Sequence, residues 1–383
     1  MNNQSNIGKQ DTLTRVVCTF VFSLFAFFYL YYYQADLLTL MQHVLSKGQT
    51  HYNHLIGAVL ITLVLLLIQV GGGNMCRKIH VAWALTYFPS ALLLAMLTGV
   101  CTSSGEIAGL GGWLYGVPVV LCLFVLILWC ANTSGFSNAV SDLIRTPVRR
   151  LWINLSLLLV AMLVVCSLGN GNKDFHTRIH AEQCCIDGNY NEALDIIGKS
   201  SGNDENLTML TAYALSREGK LAESLFEYNL NGGSRALIPY GTDLKFVLLP
   251  DSTFFLYLGG WYRQSMKADK YLDYQHRHNL INKNTADYLL CGYLLDKKLD
   301  EFAANVGKYY QINDSVRLPK HYMEALTLYN HLRSNPLIVY KDNVMEADYQ
   351  DFQKMETDIK DKRELKNSLR DVYGNTYWYY YMY

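Results

Sequence analysis

Three residues that commonly ligate metals fall at i, i+4 and i+8: His176, His180 and Cys184. On a helix that spacing puts them on one face, and two on adjacent turns can chelate an ion. The third lies too far along the axis to join both, and no Glu stands where a zinc-protease helix needs one. Core packing, not a metal, is the expectation. His43, His51 and His54, and the pair His276 and His278, are scattered in the same way. The nine cysteines contain no Cys-x-x-Cys pair, and six lie in or beside apolar runs. Cys184, Cys185 and Cys291 lie in the C-terminal half, an odd number that argues against a disulfide framework. They read as small buried thiols. Glycine runs at 71–73 and 109–112 lack the Lys-Ser/Thr of a phosphate-binding loop. The sequence therefore implies no catalytic residue, no cofactor and no metal.

The elements that would position any chemistry divide sharply near Gly169-Asn170. Five apolar runs precede that point: Val16–Tyr33, Leu55–Val70, Val81–Val100, Trp113–Ala131 and Leu151–Leu168. None contains Asp, Glu, Lys or Arg. A bilayer crossing needs about 20 apolar residues, so each reads as a transmembrane helix. Without intramembrane charge, the runs argue against a pump or proton relay. Lys9, Arg15, Arg77, Lys78, Arg145, Arg149 and Arg150 share one side if the spans alternate, against Lys47 alone on the other. That bias predicts a cytoplasmic N-terminus (1–15), a five-span domain (16–168), and a C-terminal half outside the cytoplasmic membrane, periplasmic in a two-membrane bacterium. The first run is too long for a signal peptide and lacks a small-x-small exit, so it reads as an uncleaved anchor. Asp36 and Glu106 are the only acids in the two outward loops.

The C-terminal half is helical in pattern, so the expected fold class is all-α. Cys185–Leu194 aligns with Ser216–Leu225 at an offset of 31 residues, and Leu295–Ala303 is a weaker third copy. The shared pattern is a glycine, a large apolar residue two positions on, then Glu and a small residue. Glycine closes one helix in the left-handed region; the large residue opens the next and packs back; the small residue permits close approach. The signature positions are Gly188, Tyr190 and Ala193, then Gly219, Leu221 and Ser224. The third copy lacks the glycine and places Phe302 at the small position, and Asn231–Tyr262 interrupts the array. One long amphipathic helix is expected over Met345–Tyr373, with Lys360–Glu364 on its solvated face.

The pattern resembles the tetratricopeptide repeat, whose units run about 34 residues. The resemblance covers 174–335 and implies an α-solenoid over 170–340 that binds protein partners, with a charged helix and aromatic tail over 341–383. The layout also resembles a group of uncharacterised multi-span bacterial membrane proteins, through Leu318–Leu326 and the Thr376–Tyr380 tail. Aromatic positions on first helices, Tyr213, Trp261 and Tyr288, are the candidate partner contacts. The tail itself has three readings: packing onto the repeats, lying at the membrane interface, or presenting a binding peptide.

Of the chain's 33 basic and 33 acidic residues, eight and four lie in the first 169, leaving 25 and 29 in the C-terminal half. That mild acidity excludes a nucleic-acid-binding face. The expected partners are the lipid bilayer and a protein held by the helical domain. The expected role is a membrane-anchored, non-catalytic interaction protein. The alternative is an envelope glycan- or lipid-modifying enzyme, or its accessory subunit, acting through Asp36 and Glu106.

Overall fold

The structure, a computed structural model, describes residues 2–75, 83–99, 111–133, 146–200, 202, 204–260, 266–312 and 317–383. Glu106, Trp261, the basic residues Arg77, Lys78 and Arg145, and both ends of the run 81–100 lie outside the described residues. Every regular element among the described residues is helical; an isolated bridge joins Tyr240 and Leu244. The chain forms two compact units, Met1–His176 and Thr177–Tyr383.

The first unit is a bundle of α1 (Asn2–Phe28, extended by a wide turn at Tyr29–Tyr33), α2 (Ala35–Ser46), α3 (His54–Met75), α4 (Phe88–Thr98, preceded by a 3₁₀ turn at Trp83–Tyr87), α5 (Gly111–Thr133) and α6 (Pro147–Leu168). Four stretches are long and apolar enough to cross a membrane: Thr12–Tyr33, His54–Gly72, Gly112–Cys130 and Val148–Leu168. The expected fifth, Val81–Val100, yields only the shorter apolar stretch Trp83–Thr98. At 1.5 Å per α-helical and 2.0 Å per 3₁₀ residue it is roughly 26 Å long, short of a bilayer core of about 30 Å. Among the described residues, four stretches therefore have the length and composition to cross a membrane. Side chains such as Leu67 and Trp129, at 71% and 66% exposure, point off the bundle as lipid-facing groups do.

Paired contacts fix the helix directions. Near one end, the Arg15 guanidinium lies 4.2 Å from the Trp83 ring centre, and Thr19 and Tyr87 hydroxyls meet at 2.8 Å. At the same end the Ala84 N–H donates to Asn154 Oδ1 (2.8 Å), and Gln69 donates to Thr86 (3.0 Å). Near the other end, Tyr29 donates to Thr98 (3.4 Å), the Asn170 N–H to the Thr98 carbonyl (2.9 Å), and the Trp113 indole to the Gly99 carbonyl (3.3 Å). So α1, α4 and α6 run one way, and α3 and α5 the other. Apart from Arg15 near one end, these contacts use hydroxyl, amide and indole groups, which can pair inside lipid where charges are costly.

The second unit holds α7 (Lys173–Ile186, entering from the first), α8 (Tyr190–Gly198), α9 (Glu205–Arg217), α10 (Leu221–Ser224), α11 (Asp251–Tyr257), α12 (Ala268–Arg277), α13 (Lys283–Leu295), α14 (Leu299–Tyr309), α15 (Lys320–Leu332), α16 (Asn343–Asp358), α17 (Lys362–Tyr373) and α18 (Tyr377–Met382). The hairpin signature has a structural counterpart. Gly188 (φ +80°) and Gly219 (φ +70°) end α7 and α9 in the left-handed region. Beyond them the Asn189 and Lys220 N–H groups reach back to the Cys184 and Leu215 carbonyls, both at 2.8 Å. The same closure recurs where the sequence shows no glycine. Asn279 (φ 54°) and Lys297 (φ 58°) take the left-handed position, and Leu280 and Lys298 donate to Gln275 and Tyr293 (3.0 and 2.8 Å). This is the helix-closing pattern in which the second residue past the end donates five positions back. The copies diverge in their second helices: α8 has nine residues, whereas α10 has four.

The expected long helix over Met345–Tyr373 is two helices. Asp361 divides them, because its Oδ1 accepts from Arg363 and Glu364 N–H (2.7 and 3.1 Å) and starts α17. The aromatic tail folds back. Tyr377 and Trp378 are 0% and 1% exposed, and the Trp378 indole donates to the Glu324 carbonyl at 2.8 Å.

Candidate functional site

The densest polar cluster of the first unit lies where the C-terminal ends of α1, α4 and α6 converge. Gln34 Nε2 donates to Tyr29 Oη (3.2 Å) and to the Asn170 carbonyl (3.1 Å). His176 completes the knot: its Nε2 lies 3.1 Å from the Asn170 carbonyl and its Nδ1 3.3 Å from Asp36 Oδ2. A carbonyl and a carboxylate only accept, so both ring nitrogens must carry protons. Burial works against that charge, but the hydrogen bonds from Asp36 and Asn170 outweigh it and the His176 pKa is raised. The three carbonyl ends add partial negative charge, which also favours the imidazolium. Gly169 is required sterically, since a Cβ there would sit 2.0 Å from Tyr29 Oη. Gln34 Oε1 and Asn170 Nδ2 are buried without partners.

His176 is thus taken by Asp36, not by the helix-face triplet. The structure replaces it with a residue the sequence reading did not weigh. His180 and Cys184 on α7 meet Glu192 on α8, with ligating atoms within 4.8 Å of one another. The i, i+4 pair was visible in the sequence, but the third member comes from across the Gly188 turn.

Of the positions singled out for partner contact, Tyr213 and Tyr288 are 2% and 0% exposed. Tyr213 packs edge-on against Phe246 and Tyr257, with ring centres 5.7 and 5.9 Å away. A partner would meet either ring only after the helices parted. Among the signature positions, Ala193 and Leu221 are buried and Tyr190 half-buried, with Arg217 over its ring at 5.1 Å. Ser224 is only half-buried, and the neighbouring Ala222 takes the buried small position.

Three polar clusters were not foreseen. The interruption after Asn231 is a buried loop, with Leu244, Phe246, Leu248 and Leu249 inside. Its backbone needs partners, and α7 supplies them. Glu182 Oε1 accepts the N–H groups of Val247, Leu248 and Leu249 at 2.7, 2.6 and 2.8 Å, and Arg178 donates to the Lys245 carbonyl at 2.5 Å. Burial pushes the Glu182 carboxyl upward, opposed by those donors and Arg178. Asp287 accepts the Tyr310 and Tyr322 hydroxyls (2.6 and 3.0 Å), and burial raises it likewise. His321 accepts the Phe226 N–H at Nε2, so its proton is on Nδ1, which donates to Glu324 Oε2 at 2.8 Å. Glu324 Oε2 also accepts the Tyr377 N–H at 2.7 Å. All three clusters face inward and tie helices or loops together.

The surface offers a different feature. Between α15 and α16 a bent connecting segment alternates in exposure: Leu337 and Val339 are 72% and 64% exposed, while Ile338 and Tyr340 pack on the core. Leu332 and Val344, on the flanking helices, are exposed as well. The Tyr340 carbonyl is held by Asn330 at 2.6 Å, and the Leu337 N–H donates to Tyr329 Oη at 3.2 Å. These two bonds anchor the segment at Leu337 and Tyr340.

Residues 105–261 and 250–383 match the profile of a family described as a family of unknown function, DUF6057, and with most of its length covered the chain belongs to that family. No curated protein and no solved structure matches it.

Proposed function

We propose that this member of DUF6057 is a membrane-anchored helical-hairpin protein that docks a protein partner outside the cytoplasmic membrane and performs no catalysis. The exposed strip Leu332, Leu337, Val339 and Val344 carries this reading. It is apolar, anchored to α15 through Tyr329 and Asn330, and outside a core into which Glu182, Asp287 and His321 are turned. Large apolar side chains presented on an anchored surface segment suit a protein partner that buries them. The tetratricopeptide-like stacking of α7–α10 and α13–α14 is the scaffold that presents it. A photo-cross-linking residue at Leu337 or Val339 of the full chain in native membranes tests the reading. One discrete protein adduct, absent with the probe at exposed Lys354, supports it; lipid adducts alone overturn it.

The topology of the proposal is five crossings with the N-terminus in the cytoplasm. Support comes from α4, which runs parallel to α1 and α6 and meets them near both of its ends, as a third alternating span would. Its 3₁₀ turn adds length, and Arg15, Arg149 and Arg150 gather at the Trp83 end. A cysteine at Lys199 that reacts with an impermeant maleimide only from outside agrees; reaction only after permeabilisation refutes it. The glycan- or lipid-modifying alternative retains one favourable observation, the Asp36–His176 couple, which could move a proton. D36N should leave any envelope phenotype intact if the docking reading holds.

A further inference from the structure

We propose that His180, Cys184 and Glu192 form a zinc(II) site that clasps the first hairpin of the C-terminal unit. The three ligating atoms lie within 4.8 Å of one another, and the residues come from two helices joined by the Gly188 turn. Around a tetrahedral zinc with bonds of about 2.0–2.3 Å, ligand atoms stand about 3.3–3.8 Å apart. Closing the set therefore takes a movement of about 1 Å. The His180 and Glu192 side chains are exposed and can swing, while Cys184 is buried at 6% exposure and fixes the floor. The backbone is already locked at that level, because the Cys184 carbonyl accepts the Asn189 N–H that closes the turn.

The donor set selects the ion. A thiolate and an imidazole are soft and borderline ligands that suit zinc, whereas calcium and magnesium prefer all-oxygen shells. Charge also balances: one thiolate and one carboxylate neutralise Zn²⁺, so the loaded, half-buried site carries no net charge. Binding converts the Cys184 thiol to a zinc-bound thiolate and releases one proton to solvent, so affinity rises with pH. Water fills the fourth position, because the site opens outward at His180 and Glu192.

The test uses the full chain purified in detergent, freed of metal and dialysed against zinc or cobalt(II). One zinc per chain is expected, and cobalt should give a thiolate-to-metal charge-transfer band in the near ultraviolet. Loss of a neighbour that merely supports a ligand costs about 10–100-fold in affinity, so H180A and C184S should lose at least that much and E192Q at least about tenfold. His180 and Glu192 are exposed, so these two variants keep their fold even if C184S does not. No stoichiometric zinc, a cobalt complex without the thiolate band, or unchanged zinc affinity in both H180A and E192Q would overturn the proposal.

Discussion

Replacing Glu182 by alanine should unfasten the loop that fills the interior beside α7. One carboxylate oxygen accepts three consecutive N–H groups at 2.6–2.8 Å, and the side chain is fully buried. Hydrogen bonds to a charged acceptor contribute about 1.5–3 kcal/mol each, which for three independent bonds would give roughly 4.5–9 kcal/mol. They are not independent, since they share one atom, and burying the carboxylate itself costs several kcal/mol. Removing one member of a buried ionic cluster costs about 3–5 kcal/mol in practice, and Arg178 would keep only Asp204 as a counter-charge. E182A is therefore expected to lose about 3–5 kcal/mol. For a unit of this size that lowers the melting temperature by roughly 6–20 °C. E182Q keeps an acceptor oxygen in place and should lose less than half as much. Hydrogen exchange read by mass spectrometry supplies a local assay, because amides 247–249 should lose protection in E182A before the rest of the unit does. If E182A melted within about 2 °C of the parent, or E182Q fell as far as E182A, the clamp would be no clamp.

Other consequences are as direct. The His176 pKa is raised in the folded state, so its pairing with Asp36 stabilises fully below the ordinary histidine value of about 6.5 and is lost as pH climbs through the raised one. D36N should shrink that pH dependence, seen as a flatter melting-temperature profile across pH 6–8. Trp378→Ala removes an indole that is 1% exposed and donates to Glu324, and should cost about 3–5 kcal/mol by thermal unfolding. Gly169→Ala places a methyl 2.0 Å from Tyr29 Oη, so the knot must open; a lower melting temperature restored by the double variant Gly169→Ala, Tyr29→Phe would confirm the contact.

Much of the fold could be read directly. Four of the five apolar runs correspond to helices long and apolar enough to cross a membrane, because lipid permits so few compositions. The third run gives only the shorter stretch Trp83–Thr98, since its ends lie outside the described residues. Gly188 and Gly219 announced their hairpins. Asn279 carried a weaker signal, since asparagine is the usual substitute for glycine at a left-handed helix end, and Lys297 carried none. The break at Asp361 is written as a cap, its carboxylate accepting the N–H groups two and three residues on, inside an apolar periodicity that continues across it. The buried clusters were the least legible part. Glu182 meets Val247–Leu249 some 65 residues away, and Glu324 meets Tyr377 across 53. No local pattern encodes such pairs. Tyr213 and Tyr288 show the reverse error, in which aromatic residues are read as binding surface when the core needs their volume.

The left-handed helix ends have an evolutionary corollary. Gly188, Gly219, Asn279 and Lys297 place three different residue types in one conformation, each followed by an amide that returns five positions. A non-glycine residue pays about 1 kcal/mol there, a cost that packing elsewhere can absorb. The same return bond closes α2 in the first unit, where Lys47 is left-handed (φ 53°) and the Gly48 N–H meets the His43 carbonyl at 2.8 Å. The bend is thus a habit of the main chain at helix ends, and the letters written there are free to drift while the bend persists.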